Sequence, residues 1–184
     1  MQWRNSPTNY GVTSIALHWL IAVAVFGLFA LGYWMVGLNY YSSWYRTAPD
    51  IHKAVGILLF GLMLFRVLWR FLSPGPGPLA SHSAMTRLAT KAGHGLLYVG
   101  LFALMMSGYL ISTADGRPVS VFGWFEVPAM ITGIPEQADI AGLVHEYLAW
   151  ALVIFSGLHA LAALKHHFID RDPTLRRMFG RADG

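Results

Sequence analysis

The chain contains no cysteine among its 184 residues. This absence excludes disulfide bonds, thiolate zinc sites, iron–sulfur clusters and haem attached covalently through thioether bonds. A metal ion bound to this protein must therefore be held by histidine, methionine or oxygen ligands. Eight histidines are present, and most of them lie within or beside apolar segments.

Charged residues are also scarce. They make up 12% of the chain, whereas hydrophobic residues make up 55%; this composition excludes intrinsic disorder and differs from that of an ordinary soluble domain. Three long segments carry no formal charge: residues 5–45, 92–114 and 147–164. Residues 52–72 form a fourth apolar segment, in which the basic residues lie near the ends.

These segments are long enough to cross a membrane, since a bilayer core of roughly 30 Å requires about 20 helical residues. We predict an all-α, integral membrane four-helix bundle that forms a single domain over residues 1–184. The predicted helices cover residues 14–36, 52–72, 89–112 and 141–165. The longest connection, residues 113–139, mixes apolar and acidic residues and is expected to contain a short interfacial helix.

The positions of lysine and arginine predict the orientation in the membrane. One side collects most of the basic residues: Arg4, Arg66, Arg70, Arg87, Lys91, Lys165, Arg171, Arg176, Arg177 and Arg181. The other side has only Arg46, Lys53 and Arg117. Both termini are therefore predicted to be cytoplasmic, and the net charge of +4 reflects this topology rather than nucleic-acid binding.

Five histidines fall at two depths of the predicted bundle. His52 and His145 belong to the outer level, whereas His18, His94 and His159 belong to the inner level. A lone buried histidine is most simply a neutral imidazole hydrogen-bonded to a neighbouring helix. Five histidines at two matched depths instead favour paired imidazole ligands of six-coordinate haem iron. The residues alone do not decide which two of the three inner histidines would be the ligands.

The spacing along two helices places candidate residues on one face. His145 and His159 are 14 residues apart, which brings them to nearly the same face, roughly 21 Å apart along the helix axis. His52 and Arg66 have the same spacing on their helix. A guanidinium group on this face can form a charge-assisted, bidentate contact with a haem propionate.

Five segments carry a family resemblance: ALHWLIAVAVFGLFALG, IHKAVGILLFGLMLFRVLWR, KAGHGLLYVGLFALMMSGYLIS, VHEYLAWALVIFSGLHALAALKHHFI and DPTLRRM. Together they resemble the bacterial cytochrome b-561 family of four-helix, di-haem, quinone-linked membrane proteins, from about Thr13 to Met178. The resemblance implies two haem b groups, with His18 and His159 as ligands of the inner iron and His52 and His145 as ligands of the outer iron.

The resemblance also suggests roles for the other candidate residues. His94 and His166 become candidates for a ubiquinone site, and Arg66 a candidate partner of a haem propionate. Superoxide is a possible electron source in this family, and a basic outer surface would attract that anion. Arg46 and Lys53, with Arg117, are the outer basic residues available for this.

Three functional hypotheses follow for a multi-pass protein of the bacterial inner membrane. In the first, a di-haem cytochrome linked to ubiquinone acts as a superoxide:ubiquinone oxidoreductase or as an electron carrier. In the second, a haem b anchor subunit relays electrons between quinone and a partner dehydrogenase or hydrogenase. The third is a histidine-lined transporter without haem. The expected partners are membrane lipid, quinone and either a small redox substrate or a periplasmic redox protein; nucleic acid is not expected, and the sequence does not set the oligomeric state.

Overall fold

Four long helices account for most of the structure, a computed structural model that describes residues 2–79 and 81–180. Arg181, counted among the basic residues above, lies outside this part. The elements in chain order are α1 (Val12–Met35), α2 (Thr47–Leu72), α3 (Ala84–Thr113), β1 (Val119–Val121), β2 (Phe125–Val127), α4 (Gln137–Phe168) and α5 (Thr174–Arg177).

The helices α1 to α4 are each long and apolar enough to cross a membrane. Only 6% to 11% of the most apolar window of each helix is buried within the protein. Many of the other apolar side chains are exposed, as expected where lipid rather than water is the solvent. The predicted all-α membrane four-helix bundle is confirmed.

All four helices begin before the ranges expected from apolar residues, α1 by two residues and α2 to α4 by four or five. The first turns of α2 contain Asp50 and Lys53, whose side chains form an ion pair of 2.8 Å at i,i+3 spacing. The first turns of α3 contain Arg87 and Lys91. Such residues are compatible with a helix at the membrane interface, so a count of apolar residues underestimates the helix length.

The chain divides into two compact units, and each long helix contributes to both. Unit 1 comprises Met1–Ile21, Leu62–Tyr98 and Ile154–Gly184. In it, the N-terminal segment is fixed to the end of α2, because the side-chain amide of Asn5 donates to the Ser73 carbonyl at 2.6 Å. The indole N–H of Trp19 donates to the Met178 carbonyl at 2.9 Å, which secures the C-terminal segment against α1.

Unit 2 comprises Ala22–Gly61 and Val99–Val153, and it contains a β-hairpin where an interfacial helix was expected. Strands β1 and β2 pair antiparallel, with Val119 opposite Val127. The expectation of a helix was wrong because the segment alternates β-branched residues with polar ones and turns at Gly123, whose φ is +72°. These features favour a hairpin.

Candidate metal centres in the two histidine clusters

In unit 2, the centroids of the imidazole rings of His52 and His145 are 6.2 Å apart, and the ring planes are inclined at 72°. Two imidazoles bound to opposite sides of one metal ion, with metal–nitrogen bonds of about 2.0–2.1 Å, have centroids about 6.3 Å apart. The spacing of this pair therefore fits one metal ion between the rings. The predicted outer pair is brought together by α2 and α4.

The environment of His145 defines which of its ring nitrogens can bind a metal. Its Nδ1 lies 3.0 Å from the Leu104 carbonyl and 3.1 Å from the Ser107 hydroxyl oxygen. The Ser107 hydroxyl donates its own hydrogen to the Leu104 carbonyl at 2.8 Å. Both neighbours thus accept from an N–H at Nδ1, which leaves the lone pair on Nε2 free for a metal.

Two glycines allow these rings to approach the neighbouring helices. A Cβ added at Gly32 of α1 would lie 3.1 Å from Cε1 of His52. A Cβ added at Gly108 of α3 would lie 2.9 Å from Cε1 of His145, closer than two carbon atoms pack. The histidine pair is therefore held between two helix backbones, and a side chain at either glycine would displace a ring.

Unit 1 contains the other three histidines of the predicted bundle core. The ring centroids of His18 and His159 are 6.4 Å apart, whereas those of His94 and His159 are 5.3 Å apart. The first separation matches that of two imidazoles on one metal ion, and the second is too short. Geometry therefore favours His18 with His159 as the pair and leaves His94 beside it.

Arg66 faces this cluster. Its Nε donates to the Tyr98 hydroxyl at 2.8 Å, and its Nη2 lies 3.4 Å from Nδ1 of His18. No carboxylate forms an ion pair with Arg66 among residues 2–79 and 81–180, so the guanidinium can accept a carboxylate partner. Because arginine can only donate, its contact assigns an acceptor role to Nδ1 of His18. Metal binding through Nε2 of His18 requires Arg66 to leave this contact.

His166 is not brought to the rings of the inner histidines within the described part of the chain. It lies at the end of α4, and its Nδ1 is 2.8 Å from a carboxylate oxygen of Asp170. Its ring packs against that of His82, with the centroids 5.1 Å apart.

The basic residues expected to attract an anion lie in unit 2. Arg46 lines a pocket of about 380 Å³ beside Tyr40 and Tyr45. Lys53 follows His52 directly and lines a pocket of about 470 Å³, which it shares with its ion-pair partner Asp50.

Arg117 is paired as well. It forms an ion pair with Asp115. The hydrogen bond from Arg117 lowers the pKa of the Asp115 carboxyl, and the same bond raises the pKa of the Arg117 guanidinium. Its positive charge is therefore locally balanced by a carboxylate.

The sequence reasoning missed Gly32 and Gly108, although a spacing in the sequence indicates both. Gly32 follows His18 by 14 residues on α1, and Gly108 follows His94 by 14 residues on α3. This is the spacing already noted on α2 and α4, and it places two residues of one helix on nearly the same face. Each long helix therefore carries two site residues at this spacing.

Comparison with known proteins agrees with this arrangement. A family model described as prokaryotic cytochrome b561 matches residues 9–181. The chain is 58% identical over 182 residues to cytochrome b561 homolog 2 of Escherichia coli strain K12, covering 99% of this chain and 97% of that protein. It is 29% identical over 178 residues to a protein named probable superoxide oxidase CybB of Yersinia pestis, with 96% and 98% covered.

A third relative is cytochrome b561 homolog 1 of Escherichia coli strain K12, 28% identical over 177 residues, covering 94% of this chain and 98% of that protein. The matches span nearly the whole of each protein, so they include all four membrane helices and both histidine clusters. The family implies haem b as the cofactor, and the histidine pairs described above fit it. The chain therefore belongs to the prokaryotic cytochrome b561 family, and it is a multi-pass b-type cytochrome of the bacterial inner membrane that transfers electrons.

Proposed function

We propose that this protein is a single-domain, di-haem cytochrome that passes electrons to ubiquinone, with superoxide as the electron donor. The observation that supports it most directly is the presence of two histidine pairs, His18–His159 and His52–His145, with centroid separations of 6.4 and 6.2 Å. Each pair would hold one haem b by its two imidazoles. Bound haem b supplies an iron that gains and loses one electron reversibly.

The residues around each pair would set the position and protonation of the imidazoles. In unit 2, the Leu104 carbonyl and Ser107 hydroxyl keep the proton of His145 on Nδ1. In unit 1, Arg66 has no carboxylate partner among the described residues and would pair with a haem propionate. Once Arg66 moves away from His18, Nδ1 of His18 can carry the proton, and Nε2 can then bind a metal.

His94 and His166 are the candidate residues for a quinone in unit 1. Reduction of ubiquinone to its quinol takes up two electrons and two protons, so a quinone site needs groups that donate hydrogen bonds and deliver protons. His94 lies beside His159 without the spacing of a second ligand. His166 lies about two helical turns beyond His159 on α4, close to the carboxylate of Asp170. With both termini in the cytoplasm, as the distribution of basic residues predicts, these residues would take protons from that side.

The choice of superoxide as donor rests on the relative named probable superoxide oxidase CybB and on the basic residues near His52. Two superoxide anions give up one electron each and leave as two O₂ molecules, while one quinone takes both electrons and two protons. Lys53 is partly neutralised by Asp50. Arg46 has no carboxylate partner among the residues that the structure describes, and is therefore the stronger attraction for the anion.

The test uses protein purified in detergent without any partner. Haem is extracted and counted per chain, and quinol formation is followed when superoxide and a ubiquinone analogue are supplied. We expect two haem b per chain in the native protein, one in His52→Ala, one in His18→Ala, and two in His94→Ala. His167→Ala, a neighbouring histidine outside both pairs, serves as the control and should keep two.

The outcomes separate the parts of the proposal. Loss of a haem in His94→Ala together with retention in His18→Ala would reverse the assignment in unit 1. Two haems without quinol formation would instead indicate a subunit that relays electrons only to a partner dehydrogenase or hydrogenase. A protein without haem would contradict the proposal as a whole.

A further inference from the structure

A separate cluster of metal-binding side chains lies in unit 1, outside the histidine pairs. His82 comes from the connection between α2 and α3, His166 from the last turn of α4, and Asp172 from the segment between α4 and α5. Nε2 of His82 lies 3.0 Å from Oδ2 of Asp172, and Nδ1 of His166 lies 3.2 Å from the same oxygen. The three ligand atoms all lie within 4.8 Å of one another.

Hydrogen bonds fix the Asp172 carboxylate and the main chain at the two histidines. Oδ1 of Asp172 accepts from the Thr174 backbone N–H at 2.8 Å, which leaves Oδ2 directed at the two imidazoles. The backbone N–H of Asp172 donates to the His166 carbonyl at 3.0 Å. The His82 carbonyl accepts from Nε of Arg87, also at 3.0 Å. The Asp172 carboxylate is thus held by a bond that does not use its ligand atom, whereas the bonds at His82 and His166 restrain their main-chain carbonyls.

The carboxyl of Asp172 is enclosed but ionised. Its side chain is 8% exposed, and those of His82 and His166 are 14% and 19% exposed. Burial raises the pKa of Asp172, but hydrogen bonds from Thr174 and His82 outweigh it, and the pKa lies below its usual value. The cluster therefore offers one carboxylate and two imidazoles, shielded from bulk water.

This donor set and its spacing suit a divalent ion of the zinc type. Imidazole nitrogen and carboxylate oxygen bind Zn²⁺ at about 2.0–2.2 Å, so neighbouring ligand atoms of a tetrahedral site are about 3.3 Å apart. The observed separations of 3.0 and 3.2 Å need little adjustment. Asp170 offers a further oxygen 2.8 Å from Nδ1 of His166, although Lys165 competes for that carboxylate at 2.6 Å.

We propose that His82, His166 and Asp172 form a binding site for one divalent transition-metal ion. The bound ion would link the segment between α2 and α3 to the C-terminal segment. Coordination through Nδ1 leaves Nε2 of His166 available to another ligand. The proposal stands independently of the haem assignment, because it uses none of the paired histidines. It shares His166 with the proposed quinone site, so a quinone would have to contact that residue through Nε2.

The test uses the full haem-containing protein without a polyhistidine tag, stripped of metal by a chelator. Binding of Zn²⁺ is measured by calorimetry, and binding of Co²⁺ by its visible absorption after subtraction of the haem spectrum. We expect one ion per chain. His82→Ala and Asp172→Asn should each weaken binding at least about tenfold.

Two matched variants serve as controls. His167→Ala removes the histidine next to His166, and Asp139→Asn removes an exposed carboxylate at the start of α4; both should bind the ion as the native protein does. The haem spectrum of every variant reports whether it has folded. If His82→Ala loses haem, the zinc affinity of the nearly isosteric Asp172→Asn variant tests the proposal in its place.

The proposal is overturned if the native protein binds no Zn²⁺ or Co²⁺ in saturable one-to-one stoichiometry. It is equally overturned if Asp172→Asn keeps its haem and binds the ion unchanged. Either result would mean that the cluster is a hydrogen-bonded contact between two imidazoles and a carboxylate.

Discussion

The half-buried histidines of this protein differ in how firmly their neighbours fix them. His145 is held at Nδ1 by two acceptors, the Leu104 carbonyl and the Ser107 hydroxyl, at 3.0 and 3.1 Å. His18 instead contacts the donor Arg66 at 3.4 Å. The first arrangement is ready for metal binding through Nε2, whereas the second must rearrange. We therefore expect local substitutions to affect the two proposed haem positions independently.

Gly108 provides the sharpest test at this scale, because an added methyl group would lie 2.9 Å from Cε1 of His145. Replacing a helical glycine with alanine normally stabilises a helix by about 0.5–1 kcal/mol. At Gly108 the displaced ring should reverse that gain. We expect Gly108→Ala to lower the melting temperature and to shift the spectrum or reduce the occupancy of one haem.

Gly142→Ala on α4 is the matched control, since a methyl group there would meet nothing within 4 Å. It should keep both haem signals and melt at the native temperature or above it. Equal melting temperatures for the two variants, with haem content unchanged in both, would contradict the close contact between Gly108 and His145.

At the scale of elements, the helices were predictable because long uncharged segments leave few alternatives in a membrane. Their ends were not, since the turns around Asp50 in α2 and Arg87 in α3 are polar yet helical. The hairpin was missed because its strands, Val119–Val121 and Phe125–Val127, have only three residues each, too few for a periodicity to stand out.

Candidate site residues were predictable where two of them share a helix face, as His145 and His159 do. Contacts between distant parts of the chain were not. His82 and Asp172 are 90 residues apart, and no periodicity connects a loop with a C-terminal segment. Tyr98 was missed for a similar reason, because its hydroxyl meets Arg66 across two helices.

One side chain of α3 holds the connection between the hairpin and α4, together with Gln137 of α4, which donates to the Ile131 carbonyl at 3.1 Å. The Tyr109 hydroxyl donates to the Pro128 carbonyl at 2.7 Å and accepts from the Met130 N–H at 2.8 Å. A hydrogen bond contributes about 1 kcal/mol, so Tyr109→Phe should open this connection several-fold more often. Limited proteolysis should then cleave residues 128–136 correspondingly faster.

Tyr147→Phe on α4 is the control, since Tyr147 is 68% exposed and the change again removes one hydroxyl. Its cleavage rate should equal that of the native protein. The haem content of both variants should be native, since neither tyrosine touches a paired histidine. Equal cleavage rates for Tyr109→Phe and the native protein would show that the hydroxyl does not anchor the connection.

For the whole molecule, the distribution of charge matters more than its net value of +4. Of the basic residues that the structure describes, nine belong to unit 1 and three to unit 2. Of the three in unit 2, Lys53 and Arg117 have carboxylate partners. A field that attracts superoxide toward His52 would therefore depend chiefly on Arg46.

Arg46→Gln should consequently lower kcat/KM for superoxide, by about three- to tenfold at low salt, and the loss should shrink as added salt screens the native field. Arg117→Gln makes the same change in net charge, from +4 to +3, but at a position already paired with Asp115. It should affect the rate less.

A larger effect of Arg117→Gln than of Arg46→Gln would assign the attraction to the hairpin side of unit 2, and equal effects would mean that only net charge matters. Rates that do not depend on salt in any of the three proteins would exclude electrostatic steering, because a small anion drawn by exposed charges must respond to ionic strength.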